Sequence, residues 1–61
     1  MKRMRKKNFD LKEGTMIYRQ NGETYEVLRY NRYYRNYECI SQDTGKLKCL
    51  APRELVGDYI V

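Results

Sequence analysis

The sequence predicts a small, mostly β domain of five short strands, built from two hairpins, a helical turn near 52–56 and a closing strand. Three observations carry that expectation. Asn21-Gly22 is the preferred pair for a two-residue type I′ turn, and the residues on either side are rich in β-branched and aromatic side chains. Asp43-Thr44-Gly45 marks a second turn between two further runs of that kind. Pro52, Glu54 and Gly57 then follow in the order of a helix start, a first-turn acid and a stop.

The chain opens with a basic stretch. Lys2, Arg3, Arg5, Lys6 and Lys7 fall in its first seven residues, and they account for the whole net charge of +5. Charge at that density repels itself, so residues 1–8 are expected to be a flexible, disordered arm, with the β domain spanning 9–61. Glu13-Gly14 resets the backbone before the first strand, at 15–19. A tight loop at Asn21-Gly22 pairs it with 24–30, placing Tyr18 opposite Tyr25 and Met16 opposite Val27, and these four are the leading core candidates. The second hairpin joins 37–42 to 46–50, with Ile40, Leu47 and Leu50 as its apolar contributions.

A type I turn ending in a left-handed Gly45 sets Cys39 directly opposite Cys49, a register that admits a cross-strand disulfide. Two reduced, half-buried thiols are the favoured state, because cysteine is common in cores and the cytosol is reducing. With two cysteines and no histidine, no metal site is expected. The final strand is placed at 59–61.

Five short strands with one helical turn before the last resemble the SH3-like small barrels, the group that includes the Tudor and KOW modules. The resemblance covers about residues 11–61. It rests on the Lys12-Glu13-Gly14-Thr15 lead-in, the Asn21-Gly22 and Asp43-Thr44-Gly45 turns, and Pro52-Arg53-Glu54-Leu55 before the terminal strand. The peptide-binding signature of the signalling SH3 domains is missing, for there is no tryptophan and no Ala-Leu-Tyr-Asp-Tyr stretch. The resemblance therefore implies a barrel fold, and it leaves the ligand open among nucleic acids, proline-rich peptides and modified tails.

The densest chemical signal lies between Arg29 and Tyr37, where Arg29, Arg32 and Arg35 alternate with four of the seven tyrosines. Guanidinium groups pair with phosphates and stack on rings, and tyrosine offers a π-face to a base. Tyr30, Tyr33, Tyr34 and Tyr37 have helical spacing, but Asn31, Asn36 and the absence of a cap before Tyr30 favour a long, twisted hairpin tip. Such a tip projects Arg32, Tyr33, Tyr34 and Arg35 from the scaffold. Tyr18, Tyr25, Tyr30 and Tyr59 are expected to be structural, packing across strands.

No histidine, serine elbow or phosphate-cradling glycine loop is present, and the acids are scattered among basic residues, so the chain is not expected to be an enzyme or to hold a cofactor. The expected function is a non-enzymatic nucleic-acid-binding module, for RNA or DNA. In it Lys2, Arg3, Arg5, Lys6 and Lys7 contact phosphates, Arg29, Arg32 and Arg35 grip the backbone, and Tyr33 and Tyr34 stack on bases. The alternative is a protein-interaction or regulatory accessory module, of a bacterium, phage or mobile element, anchored by the same loop. Membrane attachment is disfavoured, a cytoplasmic location is expected, and an exposed strand such as 15–19 offers an edge for homodimerisation.

Overall fold

The computed structural model describes residues 1–6 and 10–61. Lys7, Asn8 and Phe9 lie outside the described residues, and with them the expected phosphate contact of Lys7 and the expected arm-to-domain boundary.

The chain forms β1 (Lys2–Arg3), β2 (Met16–Tyr18), β3 (Thr24–Asn31), β4 (Asn36–Ser41), β5 (Leu47–Leu50), α1 (Pro52–Leu55) and β6 (Tyr59–Ile60). All six strands join one antiparallel sheet in the order β1-β6-β2-β3-β4-β5. Among the described residues it is mostly β with one helical turn, as the sequence indicates, but it has six strands where five are expected. The sheet is not closed, because β1 and β5 stand at its two ends.

The additional strand comes from the basic segment. Lys2 pairs with Ile60 and Arg3 with Tyr59. Met4 then extends the ladder, donating its N–H to the Asp58 carbonyl at 2.8 Å and accepting from the Gly57 N–H at 2.6 Å. Its side chain is buried in the core. A wholly disordered arm is thus corrected over residues 2–4: charge repulsion between Lys2 and Arg3 is outweighed by main-chain pairing and the burial of the one apolar side chain that follows them.

Both outer hairpins differ from expectation by one residue of register. In the β2–β3 turn the Arg19 N–H donates to the Glu23 carbonyl at 2.8 Å and the Gly22 N–H to the Arg19 carbonyl at 3.1 Å, with Gly22 at φ +93°. That is a three-residue loop ending in a left-handed glycine, one residue longer than the type I′ turn. Ile17 therefore faces Tyr25, and Met16 faces Glu26. Tyr25 and Val27 are buried as expected, while Ile17 takes the core place predicted for Met16 and Tyr18, which are half-buried. A one-residue slip exchanges the faces of a strand.

The β4–β5 turn closes between Ser41 and Lys46, and the buried Ser41 Oγ accepts the N–H groups of Asp43 and Thr44, both at 3.2 Å. Cys39 consequently pairs with Lys48, and Cys49 with Glu38. Cys39 is buried and Cys49 exposed, both as free thiols, so the register that would bring them together is not the one formed. Burial pushes the Cys39 thiol up to about 11, with the neighbouring Cys49 as the smaller cause. Lys48, on the core side, lays its Nζ 6.0 Å from the centre of the Tyr25 ring.

Met4, Leu11, Ile17, Tyr25, Val27, Tyr37, Cys39, Leu50 and Leu55 make one core, with Ile60 packed against it. Of the apolar residues expected from the second hairpin, Leu50 is in this core, whereas Ile40 is half-buried and Leu47 exposed, because both alternate onto the opposite face. A polar clamp centred on the buried Asp58 fastens the β2–β3 turn to the corner before β6. Asp58 accepts from Arg19 Nε at 2.8 Å and from the Gln20 N–H at 3.1 Å, while Gln20 Nε2 donates to the Gly57 carbonyl at 2.8 Å. Helix α1 opens with the Glu54 carboxylate accepting the Ala51 N–H at 2.7 Å.

Candidate functional site

The Arg/Tyr segment forms the tip of the β3–β4 hairpin. Its ladder runs to the pair Asn31 and Asn36, leaving residues 32–35 as a four-residue loop. A bulge places both Leu28 and Arg29 across from Glu38, so that Val27 and Tyr30 return to the same face and the hairpin twists. Asn31 Oδ1 accepts the N–H groups of Tyr33 and Tyr34 at 3.0 and 3.1 Å, which fixes the loop without using any of its side chains.

This loop repeats the design of the β4–β5 loop. There Ser41 caps the same two amides, and the last loop position is Gly45 at φ +73°. The equivalent position in the Arg/Tyr loop is Arg35 at φ +56°, the one non-glycine residue with positive φ among the described residues. A side chain there costs roughly 1–2 kcal/mol that glycine avoids.

Tyr33 and Tyr34 are 85% and 70% exposed, and their rings meet edge-on with centroids 4.8 Å apart at 89°. They support each other rather than the core. Tyr30 and Tyr37 make a second edge-on pair, with centroids 4.8 Å apart. In that pair Tyr37 is buried and its hydroxyl accepts the Leu11 N–H at 3.1 Å, so it is a structural residue that the expected set of structural tyrosines lacked. Its even spacing from the core-facing Cys39 on β4 is the signal that places it inward.

Arg29 has a different environment from Arg32 and Arg35. Its Nε and Nη2 donate to the two Glu38 carboxylate oxygens, both at 2.8 Å, and Asn31 Nδ2 adds a third contact to Glu38 at 2.9 Å. The hydrogen bonds from Arg29 and Asn31 hold the Glu38 carboxyl below the usual carboxylate range, and the same pairing raises Arg29. An arginine gripped in this bidentate way supports the base of the loop instead of presenting a free charge. Among the described residues, Lys2, Arg3, Arg5, Lys6, Arg32 and Arg35 form no ion pair.

No protein-family model, curated protein or solved structure matches this chain. The site is therefore read from its own residues.

The remaining expected residues gather elsewhere. Lys2, Arg3, Arg5 and Lys6 line an open groove of about 660 Å³ together with Asp10, Met4, Leu11 and Ile60. The cations form two groups, one at the groove beside β1 and one at the hairpin tip. On the groove side, Leu11 donates its N–H to the buried Tyr37 hydroxyl, and Tyr37 meets Tyr30 at the base of the hairpin tip. Among the described residues no helix is long and apolar enough to cross a membrane.

Proposed function

We propose that the protein is a small, non-enzymatic nucleic-acid-binding module. In this reading the hairpin tip stacks Tyr33 and Tyr34 on bases, and Arg32 and Arg35 contact the adjoining phosphates. Lys2, Arg3, Arg5 and Lys6 supply a second group of phosphate contacts, and Arg29 braces the tip through Glu38. β2 to β6 with α1 constitute an SH3-like small-barrel framework, a reading supported by the element order and by the helical turn before the closing strand. Two unbridged cysteines suit action in the reducing cytoplasm.

The observation that carries the reading is the tip itself. A strained arginine occupies the slot where the sister loop has glycine, beside two tyrosines that no core demands. Strain and exposed aromatic area retained together are the mark of a recognition loop.

Fluorescence anisotropy with single-stranded RNA, single-stranded DNA and duplex DNA across a salt series tests this. With six cations engaged, the logarithm of affinity for a single strand falls with the logarithm of salt at a slope near ~4. For a strand of about eight nucleotides or more, long enough to reach the tip and the basic groove together, Tyr33→Ala/Tyr34→Ala weakens binding by about tenfold or more, the value of one or two lost stacking contacts. A salt-independent signal, or undiminished binding by the double variant, removes the proposal. The edge-on tyrosine pair flanked by arginines also fits a protein hot spot, and that reading takes over if the double variant loses a protein partner while the wild type binds no nucleic acid.

A further inference from the structure

The groove beside β1 has a property that phosphate contacts alone do not use. Its cations surround apolar side chains: Met4 and Leu11 belong to the core, and Ile60 packs against it. Its volume of about 660 Å³ is that of a small-molecule site rather than of a flat electrostatic patch. A bare phosphate would satisfy the cations and leave the half-buried Ile60 wet. An apolar peptide would cover that side chain and strand the four charges that line the groove. The fitting ligand carries negative charge and a flat, weakly hydrated face on the same unit.

We propose that this groove seats one unstacked nucleotide of a single-stranded nucleic acid, its base over the half-buried Ile60, above the buried Met4 and Leu11, and its flanking phosphates on Lys2, Arg3, Arg5 and Lys6. The inference rests on the nucleic-acid reading above and narrows it to single strands. A duplex hides its base faces in the stack, so it can use the cations but not the apolar wall, whereas an unpaired strand offers both. An anionic lipid also combines charge with apolar surface. The strand is favoured because the same protein exposes Tyr30, Tyr33 and Tyr34 at the hairpin tip, ring faces that a base stacks on and a lipid headgroup does not.

The test is NMR of amide and methyl groups in the full chain, titrated separately with thymidine and uridine tetranucleotides, a DNA hairpin duplex, inorganic pyrophosphate and phosphatidylserine vesicles. The expected result is that both tetranucleotides shift the methyls of Met4, Leu11 and Ile60, and that pyrophosphate moves only groups near the cations. Arg5→Glu/Lys6→Glu, at two exposed positions, retains a folded spectrum and weakens tetranucleotide binding by about tenfold or more, through lost phosphate contacts and added repulsion. Equal methyl shifts from pyrophosphate, from the duplex or from vesicles at physiological salt would overturn the proposal. Shifts confined to residues 32–35 would also overturn it while leaving the broader nucleic-acid reading intact. No shift with any nucleic acid would remove both.

Discussion

Arg35 and Gly45 occupy the same position in two loops of the same design, and the difference between them is chemically informative. Arg35→Gly relieves the positive-φ strain at φ +56°. It is expected to stabilise the fold by about 1 kcal/mol, a rise in Tm of roughly 4–8 °C for a domain of this size, while weakening nucleic-acid binding. Calorimetry and anisotropy on one sample check the two signs together, and a variant that is no more stable would show that the loop holds its shape without strain. Glu38→Gln probes the neighbouring charge. Removing the carboxylate that engages Arg29 frees one more cation, so the salt slope for a single strand is expected to steepen by about 0.7.

The cysteines give a pH prediction. Cys39 keeps its proton up to about 11, against an ordinary value of 9.0, so between those values the unfolded chain releases a proton that the folded chain retains. The stability associated with that thiol is complete below the lower value and is lost as pH rises toward the upper one. Urea midpoints measured across this window are expected to fall more steeply for the wild type than for Cys39→Ala. A disulfide-exchange reagent is expected to label the exposed Cys49 in the folded protein and Cys39 only on unfolding.

At the scale of elements, what the sequence made legible was what local chemistry determines. The two hairpins, the helical turn at Pro52–Leu55 and the exposed tip follow from turn residues and caps that act within a few positions. Register was not legible. Asn21-Gly22 suits a two-residue loop, yet Asn21 instead accepts the Glu23 N–H and donates to the Glu23 carboxylate, closing a longer loop and turning Ile17 inward. Ile17 is a core residue because of its pairing across strands, which no single segment specifies.

β1 was illegible for a related reason. Its charge density is the signature of an unpaired tail, and the opposing term, burial of Met4 against distant β6, is non-local. Met4→Ala is accordingly expected to cost about 2–5 kcal/mol, the range for truncating a buried methionine, which is enough to undermine a domain this small. Thermal denaturation checks it, and a loss well under about 1 kcal/mol would mean that β1 is not anchored by its side chain. Charge neutralisation, rather than deletion of the segment, is therefore the variant that isolates electrostatics from folding.

At the scale of the whole molecule, two groups of cations share a body measuring 27 × 26 × 17 Å. Taken separately, each group has too few contacts for tight binding. On one strand, as proposed, they would act together at high effective concentration, the second contact forming without a second diffusional encounter. Strand length then becomes the controlling variable. At the 3.4 Å rise of a stacked strand, about eight nucleotides cross the longest axis of the domain. Affinity is expected to climb steeply as a single strand lengthens toward that size, and only slowly beyond it, where extra length adds alternative positions but no new contact. Tyr33→Ala/Tyr34→Ala should flatten the climb while leaving the affinity for a tetranucleotide within about twofold, because the shortest strand engages the groove alone. A series of oligonucleotides titrated against both proteins at fixed salt decides it. Parallel length curves for the wild type and the loop variant would mean that the two groups of cations never hold one strand at the same time.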